Sequence, residues 1–502
     1  MSPFNAYTNR RAIIAGSLAT VAAIRATNAQ TPESESEPIP AEERESFLIT
    51  GVLDSGGFDL ISEIESWDAE LNRIGSIPIP ESYVSHDPTG KDGDVLITTL
   101  SGSTIVDLKI ADRKDIAWDG GDPGYLSQVL PDAGLPRHPK YLIAQLFDLT
   151  AVMKVDLETG EGSDITEALA NQDVDLVTTI VDYPNDGSIG AIWTGDNVYL
   201  VDFEDPENVQ KLIGDDEGWY STTAQLSHNG EHVIFTTYDP DQRGQAANVY
   251  LQNVASGEYE KILEGHAYTT GFFIPNDPEN FMALSAEGLE IRSLSAPAET
   301  GTLIREVGQN GCRPSWLNVG KKLLYGHRDV QDGPYSWMIV DMETLEYTDL
   351  PDLGDMRPIW PNLGYSAPQH LLFHDDTHDD VPVTVVGLDI ENAETWPVVD
   401  GVYVSQLHSI SASRTGDWYT VSAQNRGTNV GVWLVNMNDR SLYEFPEDQG
   451  MISEYAAVSP DGNTVAVTFI EGRHESKGAY VASTDTPEDV TRISDSTVLG
   501  WV

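Results

Sequence analysis

Along most of this chain, short runs of alternating apolar and polar residues are broken by small turn-forming clusters, and the pattern restarts roughly every 45 residues. Its sharpest copy spans 457–469, where a short strand meets Ser459-Pro460-Asp461-Gly462 and a second strand alternates apolar with small or polar residues. Period-two alternation buries one face of a strand, and Asp-Gly accepts the positive φ of a tight hairpin turn. The same punctuation returns at 413–421, followed by strands at 430–435 and 441–445, so four short strands make one unit. Ser227-His228-Asn229-Gly230, Asn318-Val319-Gly320 and Pro139-Lys140 open further copies, and less regular units begin near Tyr83, Asp175, Thr269 and Arg357. The third strand of a unit is the most legible, as at 152–157, 198–202, 249–253 and 337–341, and it ends at an Asp or Asn turn.

The two ends of the chain complete each other. Segments 47–53, 58–67 and 73–79 supply the outer three strands of a unit, and 498–502 supplies the missing inner strand. Closing a ring through its first and last segments leaves no sheet edge exposed. The expected fold is all-β, a β-propeller of about eight to ten four-stranded blades over 46–502, closed by the C-terminal strand joining the N-terminal blade. With its S-P-D-G turn after an inner strand, the chain resembles the TolB-like and WD40-like propeller superfamily. That resemblance implies the ring and leaves the function open, because such rings host both binding and catalysis.

The N-terminus carries Arg10-Arg11, a mildly apolar stretch to Ile24 and then Thr27-Asn28-Ala29. This resembles a twin-arginine export signal over 1–29, followed by a disordered acidic linker over 30–45. The apolar run is too short for a membrane span. Secretion to an extracytoplasmic compartment is expected, and Cys312, the single cysteine, excludes an internal disulfide framework there. It reads either as a small buried residue or as a nucleophile with no assignable partner.

Asp and Glu total 81 against 28 Lys and Arg, a formal charge of −53. Such a surface repels phosphate backbones, which argues against nucleic acid and anionic membranes as partners. Adaptation to high salt explains carboxylate spread over every repeat, and cation or cationic-partner binding is the competing explanation.

Two groups of residues carry candidate chemistry. His370, His374, Asp376 and His378 fall within an eleven-residue stretch dense in imidazole and carboxylate, a set suited to zinc or manganese, with calcium favoured if carboxylates alone bind. The competing reading is a solvated acidic loop. Inner strands line the channel, and His86, His228, His266, Arg313, Arg357 and His408 fall near them. Arg313-Pro314-Ser315-Trp316 and Arg357-Pro358-Ile359-Trp360 repeat one phrase, whose guanidinium groups suit a carboxylate clamp or stacking on Trp316 and Trp360. The leading expectation is a binding or interaction scaffold for a protein, an extracellular carbohydrate or another small molecule, including an anionic one, at the ring mouth. The alternative is a metal-dependent polysaccharide lyase or hydrolase using channel histidines and arginines, a plan that resembles the oligogalacturonate lyases. No Gly-x-Ser-x-Gly elbow or phosphate loop is found.

Overall fold

The computed structural model describes residues 45–502 apart from inter-strand segments, the longer ones being 54–59, 120–125, 129–139, 172–178, 183–187, 308–313, 329–333, 360–368, 376–382 and 446–450. The N-terminal signal and linker expected for 1–45 therefore lie outside it except for Glu45. The described residues form ten antiparallel sheets arranged as the blades of one propeller. Blade 1 runs outward as Thr497–Trp501, Leu48–Leu53, Ile61–Trp67 and Arg73–Pro78, so the last strand of the chain is the innermost strand of the first blade. The expected closure is observed, and the blade number is ten.

Each blade is apolar on both faces because it packs against two neighbours, and ten separate apolar clusters fill the ten seams. Phe47, Ile49 and Ile64 meet Val95 and Val106 between blades 1 and 2, and Leu48, Trp67 and Trp501 meet Ala457 and Val481 between blades 10 and 1. The other eight clusters repeat this arrangement seam by seam. Hydrogen bonds reinforce the closing seam. Ser494 Oγ donates to Glu65 at 2.5 Å and Trp501 Nε1 donates to the Ala457 carbonyl at 3.2 Å across it, while within blade 1 Phe47 and Val502 exchange backbone bonds of 3.0 Å.

Local chemistry shapes the turns as the pattern implied. Ser227, Ser413 and Ser459 occupy equivalent places after inner strands, and each hydroxyl accepts the backbone N–H five residues on, at 2.9 to 3.1 Å. Gly230, Gly416 and Gly462 complete these turns at positive φ. The third strands end in carboxylates that cap the next turn. Asp156, Asp202, Asp341 and Asp389 each accept backbone N–H groups two and three residues ahead.

Two features depart from the repeat. Blade 3 carries a fifth, outermost strand, Ala117–Trp118, paired parallel to Glu161–Asp164. Gly162 admits the Trp118 ring there, since a Cβ would stand 2.2 Å from it. A single-turn helix, Thr166–Ala170, follows, opened by the Asp164 carboxylate accepting the Thr166 N–H at 2.8 Å. It seats Leu169 in the seam with blade 4.

Candidate functional site at the ring closure

The inner strands bound the channel, and among the described residues six of them contain a bulge. The register slips at Val84, Val181, Thr222, His408, Glu454 and Leu499, where one extra residue opposes the second strand. A bulge bends its strand and re-aims the side chains beyond it. Three of these bulges fall side by side, in blades 10, 1 and 2, where the ring closes.

Tyr83 and His86 show the consequence. Three residues apart on a regular strand, they would face opposite sides. The extra residue at Val84 brings them into phase, and the Tyr83 hydroxyl and His86 Nδ1 are hydrogen-bonded at 2.5 Å. From the next strand Gly500, just past the Leu499 bulge, faces this imidazole at φ +147, a conformation open to glycine. The point where a Gly500 Cβ would stand is 3.4 Å from His86 Nε2 and 3.6 Å from the Tyr455 hydroxyl, which follows the Glu454 bulge of blade 10. Tyr455 in turn donates to the Leu499 carbonyl at 3.3 Å. His86 and Tyr455 are both half-buried, reachable by solvent yet deep within protein. Burial lowers the His86 pKa to about 4 and pushes the Tyr455 phenol up to about 12, so both are neutral across the physiological range.

The residues singled out from sequence are distributed differently. Arg357 and His374 are a cross-strand pair in blade 8, the arginine exposed near the start of its inner strand. His228 lies half-buried in the turn beyond the end of its own inner strand in blade 5, toward the opposite end of the channel axis. Trp316 packs edge-on against Phe272 at 6.0 Å in the seam between blades 6 and 7. His408 is the bulge residue of blade 9. His266, Arg313 and Trp360 lie outside the described residues, as do Cys312, Asp376 and His378.

His370 and His374 sit at the two ends of one strand's working length, about 13 Å apart at some 3.3 Å per residue. That span is too great for one ion. His370 is buried in the seam between blades 8 and 9, edge-on to Trp396 at 6.2 Å, with Nδ1 3.7 Å from Asp417. Its carbonyl accepts the Tyr419 hydroxyl at 2.8 Å, and burial lowers its pKa. Among the described residues no group of three or more His, Cys, Asp or Glu side chains is placed to hold a metal ion. No helix among them is long and apolar enough to cross a membrane.

The fold defines the class: a ten-bladed β-propeller, with a polar niche where the ring closes. No protein-family model matches the chain, and no curated protein sequence matches it. Among solved structures it is similar to the dipeptidyl peptidase 4 of Porphyromonas gingivalis, with 10% identity over 77% of this chain and 65% of that one and a TM-score of 0.46. An oligogalacturonate lyase from Vibrio parahaemolyticus shares 10% identity over 87% and 97% of the two chains, with a TM-score of 0.35. The β-propeller domain of Cps50 (Swd1) from Myceliophteria thermophila shares 16% over 61% and 96%, with a TM-score of 0.31. At such identities the likeness concerns the fold alone.

Proposed function

We propose that this chain is an exported binding ring that takes a ligand or partner segment into its channel without performing chemistry on it. The observation that supports this reading is the geometry of the closure niche, where the Tyr83 hydroxyl engages His86 Nδ1 and Tyr455 donates to the Leu499 carbonyl, so that both polar side chains are held fixed beside Gly500. A general acid or base works best with a pKa near the working pH. His86, at about 4, and Tyr455, at about 12, stand well to either side of neutrality and are suited to offering fixed hydrogen bonds. Export through the segment 1–29 accords with the dense acidic surface, which suits a saline extracytoplasmic medium.

Thermal-shift and calorimetric titration of the mature protein against oligosaccharides and peptides, at low and molar salt, tests the reading. A ligand that binds the folded ring raises its melting temperature, and His86→Phe should remove that shift. Turnover of a saccharide, with or without added manganese, would replace this reading by the enzymatic one. Export is tested by replacing Arg10 and Arg11 with lysine, which should leave the protein in the cytoplasm.

A further inference from the structure

The niche above Gly500 has a hydrogen-bond direction built into it. Tyr455 donates its proton to the Leu499 carbonyl, so its oxygen is left to accept. On the other side the Tyr83 hydroxyl engages His86 Nδ1. If that hydroxyl is the donor, His86 carries its proton on Nε2 and points an N–H toward the same gap. A group between the two must then accept from His86 Nε2 and donate to the Tyr455 oxygen. A carboxylate accepts only, and an ammonium donates only. A hydroxyl does both, and it completes one unbroken chain from Tyr83 through His86 and Tyr455 to the Leu499 carbonyl. Bonds arranged head to tail in this way polarise and strengthen one another.

Room and charge point the same way. Gly500 keeps a Cβ out of the gap, at distances of 3.4 and 3.6 Å that a slightly displaced oxygen shortens to hydrogen-bonding range. The neutral imidazole offers an anion no counter-charge, and the molecule around it carries −53. Ten blades also exceed the usual four to eight, and a ring of more blades has a wider axis.

We infer that the ring binds a neutral saccharide, one of whose hydroxyls bridges His86 Nε2 and the Tyr455 oxygen above Gly500. The inference rests on the reading of the channel as a binding site and adds the ligand class. Isothermal titration of the mature protein with neutral gluco-, manno-, galacto- and xylo-oligosaccharides, set against their uronate counterparts in molar salt, decides it. At least one neutral series should bind and its uronate counterpart should bind more weakly. Tyr455→Phe should weaken binding about tenfold, the usual consequence of losing one hydrogen bond, and His374→Ala should leave it unchanged. Nitrogen-15 NMR of the imidazoles should find His86 as the Nε2–H tautomer, a readout independent of any ligand. Equal or tighter binding of uronates, absence of saccharide binding because water alone fills the gap, unchanged affinity in a folded Tyr455→Phe protein, or the Nδ1–H tautomer would each overturn the inference. Uronate binding that Tyr455→Phe weakens would overturn the neutral ligand while leaving the binding ring standing. Saccharide binding indifferent to both His86→Phe and Tyr455→Phe would remove the channel reading itself.

Discussion

Ser459 shows how much of this ring is built from single side chains. Its hydroxyl donates to Asp461 at 2.5 Å and accepts the Thr464 N–H at 2.9 Å, tying the inner strand of blade 10 to the second. Replacing it by alanine removes the partner of a half-buried N–H, so Ser459→Ala is expected to cost about 1 kcal/mol in denaturant unfolding. The buried histidines set the response to acid. The His86 pKa falls from 6.5 to about 4 on folding, so its contribution to stability is complete above pH 6.5 and is lost as the pH falls toward 4. That difference corresponds to roughly 3 kcal/mol. His370, also lowered, acts in the same direction. Asp341, lowered mainly by the Thr344 backbone N–H, adds a loss below about its unfolded value of 3.8. Unfolding free energy should therefore decline between pH 6.5 and 4, and His86→Gln should flatten that decline.

At the scale of elements, the closing strand and the bulges carry the argument. Thr497–Trp501 contributes Val498 and Trp501 to the seam between blades 10 and 1, and its Val498 N–H is taken by Thr468 Oγ1 at 2.8 Å. Ala456 and Phe273, in the inner strands of blades 10 and 6, likewise give their N–H groups to side chains of the preceding blade. Inner edges are thereby sewn to a neighbour and protected from pairing with another chain. Trp501→Ala removes a buried indole and its bond to the Ala457 carbonyl, and is expected to destabilise the ring by about 3–5 kcal/mol. Denaturant titration checks the magnitude. The bulges at Val84, Glu454 and Leu499 shape the proposed binding site, since they bring Tyr83, His86, Tyr455 and Gly500 onto one niche.

Over the whole molecule, apolar seams hold the ring and scarce cations reinforce it. Among the described residues, at least seven of the ten seams have a lysine or arginine reaching across, and Arg414 of blade 9 reaches Ser46 at the start of blade 1. Lys109 pairs with Glu45 and Lys322 with Glu391, while Lys114 reaches the Glu158 carbonyl and Arg292 the Ile262 carbonyl. Lys140 pairs with Glu204 across the next seam. Arg305 pairs with Asp349 and lies over Tyr347, and Arg440 pairs with Glu394 and lies over Trp396. Exposed pairs contribute about 0–1 kcal/mol each. The excess of 81 acidic over 28 basic groups repels across the entire surface. Screening shortens from about 10 Å at 0.1 M salt to about 3 Å at 1 M and relieves the larger, repulsive sum first. The melting temperature should therefore rise with potassium chloride, and a fall would show that the seam pairs outweigh the repulsion.

Strand alternation, Asp-Gly and Ser-x-Asx-Gly turns, and the Asx caps after third strands are local chemistry, so the all-β repeat and the closure by 498–502 were legible along the chain. The repeat count likewise anticipated eight to ten blades, and ten are found. The niche and the departures from the repeat were not legible. Whether Ala117–Trp118 becomes a fifth strand depends on space beside Gly162, which sequence spacing does not express. A bulge is a relation between two strands, and its place is set by the partner's register. His86 could be named from sequence as a residue near an inner strand, but Tyr83 pointed to no partner without the slip at Val84. Tyr455 and Gly500 belong to the far end of the chain and reach His86 because ring closure makes the last inner strand a neighbour of the first. Alternation and turn chemistry act between residues close in sequence and so determine the blades by themselves; the niche is assembled from strands that meet when the tertiary ring shuts, and that meeting decided it.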